Sequence, residues 1–246
     1  MGELHDAQET VNHLKGLRGG TVTIGMVSTA KYFVPRLLAG FRVEHPEVEL
    51  RILSGNRGSL LGYLRRNEID LAIMGRPPRE LALVTEAFAQ HPYVFIAPPA
   101  HRLAGSAGID LFDLRDETLL VREPDSGTRM LNDEYFQKSL FLPHRMIEMG
   151  SNETIKQAVM AGMGISFISE RTIALELATH NIARLNVAGT PLKRQWHVVH
   201  RAEKRLLPAA EAFRLFLLKE SGRLIDSPLK GGAQPSAARG SSRARR

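Results

Sequence analysis

The 246-residue chain is 43% hydrophobic and 24% charged, which is the composition of a folded globular protein and excludes a disordered or collagen-like one. It has no cysteine, so the sequence offers no disulfide, thiolate nucleophile, cysteine-ligated zinc site or iron–sulfur cluster. The net charge of +7 is unevenly placed: residues 227–246 hold Lys230, Arg239, Arg243, Arg245 and Arg246 with no acid, and the remainder is nearly neutral at +2, which does not mark a nucleic-acid-binding body.

In chain order, the start MGELHDAQET lacks the apolar stretch of a secretory signal. No run approaches the roughly 18 apolar residues of a membrane span. The expectation is a cytoplasmic protein with no membrane partner. Leu4, Ala7, Val11, Leu14 and Leu17 form a short heptad-like seam over residues 1–18, fitting either the end of a longer helix or a frayed terminus. From Thr21 the pattern becomes β-α-β: a strand over Thr21–Val27, a helix over Lys31–Glu44, and an edge-type strand alternating Val48, Leu50 and Ile52 with acids and Arg51. A helix over Ser59–Asn67 and a buried strand over Ile69–Met74 follow, the rhythm of a parallel sheet covered by helices.

The rhythm then repeats. Strands are expected at Tyr93–Ala97, Thr118–Arg122, Arg145–Met149, Ile165–Ile168 and Ile182–Asn186, and around Trp196–His200. Helices are expected at Thr128–Ser139, Glu153–Ala161, Arg171–Ala178 and Pro208–Glu220. Gly162-Met163-Gly164 follows a helix and precedes a strand, the reverse of a dinucleotide fingerprint, and reads as a helix cap with a tight strand entry. The Gly-, Ser-, Ala- and Arg-rich segment 227–246 reads as a disordered basic tail.

Three strand-to-helix turns stand out: Ser28-Thr29-Ala30-Lys31, Ser126-Gly127-Thr128-Arg129 and Gly150-Ser151-Asn152-Glu153. In open α/β sheets ligands sit beyond the carboxyl ends of strands. Hydroxyls and free backbone N–H groups at a helix N-terminus bind anions. Lys31 and Arg129 bring full charges, and Gly75-Arg76 after the central strand is a further contributor. Gly127 suggests close approach by the backbone. The plain alternative is that Ser, Thr and Asn here are ordinary helix caps.

Enzyme signals are missing. No G-x-S-x-G elbow or Walker A loop occurs, and His197 and His200 fall on opposite faces of one strand. No acid–base pair converges, and no metal or cofactor is expected.

The segments together resemble the effector-binding part of LysR-type transcriptional regulators. The residues that carry this are "LRGGTVTIGMVSTAKYFVPRLLAGFRVEHPEVEL", "LRRNEIDLAIMGRPP", "HPYVFIAPPAHRLAG", "REPDSGTR" and "GSNETIKQAVMAGMGISFIS", over residues 4–220. The wording "VSTAKYFVPRLL", "MGRPP" and "GSNETIKQAVMAG" is similar to regulators of Calvin-cycle carbon-fixation (RuBisCO) operons. The resemblance implies an α/β fold of two Rossmann-like subdomains with a central cleft, like type II periplasmic binding proteins. Subdomain I would take residues 21–90 plus 198–222, and subdomain II residues 91–197, after the end of a linker helix at 1–18. The family's cleft positions fall on Ser28, Thr29, Gly75, Arg76, Ser126, Gly127, Thr128, Arg129, Ser151 and Asn152, and Lys31 joins them by the charge argument.

The effectors implied are small anionic metabolites: sugar phosphates, phosphoenolpyruvate-like acids or NADPH. A homodimer or tetramer is implied, with contacts through the helix Lys31–Glu44. Promoter DNA and RNA polymerase would be reached only through a full-length regulator. Members of the family begin with a winged helix-turn-helix that these 246 residues do not contain, so this chain alone is not expected to read an operator. A fragment, a regulator without its reader and a misassigned start at Met1 all fit. Two other classes share the architecture: a solute-binding protein of a transporter and a dehydratase-like enzyme.

Overall fold

The computed structural model describes residues 19–226. The heptad-like seam at 1–18 and the basic segment 227–246 lie outside the described residues.

The alternation of Val22, Ile24 and Met26 makes β1 (Gly20–Val27), which pairs in parallel with β2 (Val48–Gly55) and β3 (Leu71–Met74). The connecting helices cover opposite faces. Val34, Leu37 and Phe41 of α1 (Val34–Glu44) pack on the face carrying Val22, Ile24 and Ile73. Leu60 and Leu64 of α2 (Arg57–Arg65) pack on the other, with Ala72 and Met74. The sequence pattern places a continuous helix at Lys31–Glu44, but the chain divides it into a 3-10 turn at Ser28–Tyr32 and α1. Pro35 explains the division: it has no N–H and its ring would clash with the carbonyl one turn back, so it is tolerated only in the first turn.

The second half repeats the plan. β5 (Thr118–Arg122) pairs in parallel with β6 (Arg145–Met149) and β7 (Ile165–Ser169). α3 (Gly127–Lys138) and α4 (Asn152–Met160) cover its two faces, with Leu131 and Phe136 in one cluster and Ile155 and Val159 in the other. After β7 come a 3-10 turn at Glu170–Thr172, the short α5 (Ala174–Ala178) and β8 (Ala183–Leu185). The helix expected at Arg171–Ala178 is thus a turn followed by five residues of helix.

Two long antiparallel strands join the halves. β4 (Leu83–Ala97) and β9 (Leu192–Arg201) pair from Leu83 opposite Arg201 to Tyr93 opposite Leu192. The early part of β4 and the late part of β9 belong to the first half, where β9 pairs with β3. The late part of β4 pairs with β7 and β8 of the second. The strand order is β2-β1-β3-β9-β4-β7-β5-β6, with β8 also on β4. The sequence pattern placed a strand only at Tyr93–Ala97, whereas β4 starts ten residues earlier. A register shift between Ala87 and Ala89 breaks the alternation, and Pro92 removes a backbone donor, so residues 83–92 do not look like a strand.

The chain then returns to the first half. α6 (Pro208–Asp226) lies beside α1, and the Phe213 ring meets Phe41 edge-on at 5.1 Å between centroids. Gly162 has φ +80° at the end of α4, and a Cβ at Gly164 would run into the Thr118 carbonyl oxygen. Both glycines behave as a helix cap and a tight strand entry. Among the described residues no helix is long and apolar enough to cross a membrane, and no cluster of His, Asp and Glu is placed to hold a metal.

Candidate functional site

Parallel strands that end on one side of a sheet bring their following turns together, and both halves aim these turns at a shared cleft. A pocket open to solvent lies there. The first half contributes Ser28 and Thr29 after β1, Asn56 and Arg57 at the start of α2, and Gly75 and Arg76 after β3. The second half contributes Arg122 at the end of β5 and Ser126, Gly127 and Thr128 at the start of α3. The joining strands supply the floor, with His91 and Tyr93 from β4 and Arg194 and Trp196 from β9.

Its charge is one-sided. Arg57, Arg76, Arg122 and Arg194 line it, and no carboxylate among the described residues does. Three of these cations are held by acids outside the wall. Arg57 lies 3.3 Å from Glu80 and Arg76 2.7 Å from Glu134, while Arg122, only 3% exposed, makes paired contacts of 2.7 and 2.8 Å to Glu123. Arg194 has no carboxylate partner among the described residues; its Nη1 donates to the Lys193 carbonyl.

The turns singled out in the sequence play distinct parts. Ser28, Thr29, Gly75, Arg76, Ser126, Gly127 and Thr128 line the pocket. Ser126 is also the cap of α3, its Oγ accepting from the backbone N–H of Thr128 and Arg129. A Cβ at Gly127 would meet nothing within 4 Å, so space alone does not require glycine there. Gly75 does require close approach: a Cβ there would fall 2.5 Å from His91 Nδ1.

Asn152 stands behind the wall and links it. Arg122 Nη1 donates to Asn152 Oδ1, and Asn152 Nδ2 donates to Thr29 Oγ1, each at 2.9 Å. Lys31, Arg129 and Ser151 lie outside the pocket lining. Lys31 is exposed, its ammonium 5.1 Å from the centre of the Tyr32 ring. Arg129 is taken up by Asp133 at 2.9 Å and by the Arg122 carbonyl at 3.0 Å. Ser151 Oγ caps α4 at the Thr154 N–H.

The sequence reading did not include Asn56, Arg57, His91, Tyr93, Arg122, Arg194 or Trp196. Asn56-Arg57 carried a usable signal, since it follows a strand and opens a helix as the other turns do. A charged residue closing the apolar run of β5 was a signal for Arg122. Burial sets the protonation of the floor. It pushes the Tyr93 hydroxyl up to about 12. Burial first, and then the nearby Arg171 and His197, hold the His91 imidazole down at about 3, so it is neutral near pH 7.

Two α/β halves joined by paired crossing strands, with a cationic cleft between them, define a ligand-binding regulatory domain of the periplasmic-binding-protein type. The chain belongs to the family described as the LysR substrate binding domain, whose model matches residues 15–222.

It is 52% identical over 235 residues to the HTH-type transcriptional regulator CfxR of Cupriavidus necator, covering 96% of this chain and 74% of that protein. It is 50% identical to the regulator CbbR of Rhodospirillum rubrum, covering 88% and 72% respectively. A RuBisCO operon transcriptional regulator of Allochromatium vinosum is 44% identical. Among solved structures, the Synechocystis CcmR regulatory domain in complex with 2-PG superposes with a TM-score of 0.77 at 36% identity, covering 81% of this chain and 96% of that one. These relatives are transcriptional regulators and not enzymes, so the dehydratase-like and transporter readings fall away.

Proposed function

We propose that this chain senses a small anionic, phosphorylated metabolite, held between the halves and contacted by both. The observation that carries the reading is the pocket lined by four arginines without a carboxylate. Charge-assisted hydrogen bonds from guanidinium to phosphate or carboxylate are among the strongest available to a protein. The 2-PG bound by the CcmR regulatory domain supports the same ligand class. Sugar phosphates, phosphoenolpyruvate-like acids and NADPH are the other members of the class to be compared.

The switch follows from contacts to both sides. Residues 21–90 with 198–222 act as one unit and 91–197 as the other, turning about β4 and β9. A ligand that binds one arrangement tenfold better than another shifts their balance by about 1.4 kcal/mol, and about 5.5 kcal/mol nearly completes the change. A few charge-assisted bonds at roughly 1.5–3 kcal/mol each reach that range. In a full-length regulator, assembled as a homodimer or tetramer, the change is passed to promoter DNA and RNA polymerase.

The test is thermal melting and calorimetry with 2-PG, phosphoenolpyruvate, sugar phosphates and NADPH. At a hundred times its Kd a ligand stabilises by about 2.7 kcal/mol, which raises Tm by roughly 5–10 °C in a chain of this size. A melt unmoved by every anion in the set refutes the reading.

A further inference from the structure

We infer that His91 contacts the bound anion through its imidazole and takes up a proton as the anion enters, so that ligand binding and protonation of this side chain are one event. The inference rests on the anion-binding reading of the pocket and adds a residue and a linkage to it.

The geometry is specific. His91 lies in the middle of β4, lines the pocket, and is 2% exposed. Its ring stacks on Trp196 with 3.8 Å between centroids and an 18° angle between planes. Tyr93 leans on it at 4.5 Å. The Gly75 backbone closes the Nδ1 edge, where a side chain would collide with the ring. The ring is therefore clamped, yet neither Nδ1 nor Nε2 has a hydrogen-bond partner among the described residues, and nor does Trp196 Nε1 beside it. Buried polar nitrogens in folded proteins are nearly always paired. Here they belong to two residues that line the pocket.

Charge then sets the proton. Among the titratable groups of the described residues that act on the imidazole, none is a carboxylate. Arg171, from the turn after β7, and His197, from β9, act on it directly, His197 itself being held toward its neutral form by burial. Arg194 from β9, Arg57 from α2, Arg76 from the end of β3 and Arg122 from the end of β5 line the same pocket, the last three paired with Glu80, Glu134 and Glu123. Tyr93, on its own strand, is held protonated. With burial added, this surround favours the neutral ring. An anion in the pocket reverses the sign of the nearest charge. The imidazolium then becomes the favoured form and donates from whichever nitrogen faces the ligand. The proton comes from solvent, and no covalent bond other than N–H changes.

The experiment is calorimetric titration of the chain with 2-PG and with phosphoenolpyruvate, each in buffers of different ionisation enthalpy at one neutral pH. The wild type is compared with His91→Phe, which keeps a ring against Trp196, and His91→Gln, which keeps hydrogen bonding but does not titrate. The ligand's own phosphate exchanges protons equally in all three, so the difference belongs to His91. The expected result is proton uptake in the wild type that both variants lose, with His91→Phe binding about tenfold or more weakly. Imidazole chemical shifts of wild-type His91, free and saturated, read the same protonation without any substitution. Anion binding with equal proton uptake in all three proteins, or an imidazole that stays neutral when saturated, overturns the role of His91 and leaves the pocket reading intact. A wild type that binds neither anion overturns the pocket reading, and the role of His91 with it.

Discussion

Asn152 donates its Nδ2 hydrogen to Thr29 Oγ1 across 2.9 Å, although the residues are 123 positions apart. The bond is buried and crosses between the two halves, from the first turn of α4 to the turn after β1. Arg122 donates to the other end of the same amide, so one asparagine holds a pocket arginine and closes the cleft.

Thr29→Val keeps the shape of the side chain and removes the acceptor. Asn152 Nδ2 is then buried without its partner, which costs about 1–3 kcal/mol. In a chain of this size each kcal/mol is worth roughly 2–4 °C of Tm. Thermal melting of the two proteins without ligand checks this. Equal melting temperatures show that the bond does not hold the halves together in solution.

Arg76 and Glu134 make a second crossing contact at 2.7 Å, on a more exposed part of the cleft rim. Lys138 and Arg76 hold the Glu134 carboxyl below its ordinary range. Glu134→Gln is expected to change stability by less than about 1 kcal/mol, because exposed ion pairs contribute little. It also frees Arg76 for a ligand, so anion affinity is expected to rise several-fold in calorimetry. Weaker binding by the variant rules out competition between Glu134 and ligand for this arginine.

His91 gives the folded chain a defined acid sensitivity. Its imidazole titrates at about 3 when folded, against the ordinary 6.5. The unfolded chain therefore binds the proton more readily, and the stability due to the neutral ring is complete above about pH 6.5. It is lost progressively as pH falls from there toward 3. At pH 5 the loss is about 2 kcal/mol. Denaturant melts at pH 7 and pH 5 measure it. His91→Phe is expected to lose less stability over that interval by this amount, whereas an identical loss in both proteins places the acid sensitivity in other groups.

The sequence disclosed the elements whose signal is local. β5 and β6 were read to their last residues because each is a short run bounded by turn residues. The turns after strands at Ser28, Gly75 and Ser126 were legible because their position after a strand fixes which end of the sheet they reach. The early part of β4 was not legible, since its bulge and Pro92 hide the alternation. The floor of the pocket was hidden for the same reason. His91 sits opposite Arg194, and Ala89 opposite Trp196, only through the pairing of β4 with β9, which brings together residues far apart in the chain. Lys31 and Arg129 show the converse. Proximity in sequence to a pocket turn did not fix the direction of a long side chain, and Arg129 finds Asp133 one helical turn along its own helix.

That contrast can be tested with two arginines. Arg194 lines the pocket and has no carboxylate partner among the described residues, so its guanidinium is available to an anion without first breaking an ion pair. Arg129 lies outside the lining and is engaged by Asp133 and the Arg122 carbonyl. Arg194→Met removes the charge and keeps much of the aliphatic bulk. Loss of a charge-assisted bond at about 1.5–3 kcal/mol weakens binding of 2-PG or phosphoenolpyruvate about tenfold to a hundredfold. Arg129→Met is expected to lower Tm modestly and leave the affinity within about threefold, since rim contacts are worth little. Calorimetry on both variants decides the matter. A large affinity loss for Arg129→Met with none for Arg194→Met would place the anion on the α3 turn, one of the turns between which the sequence pattern put it, and away from the paired strands that form the floor.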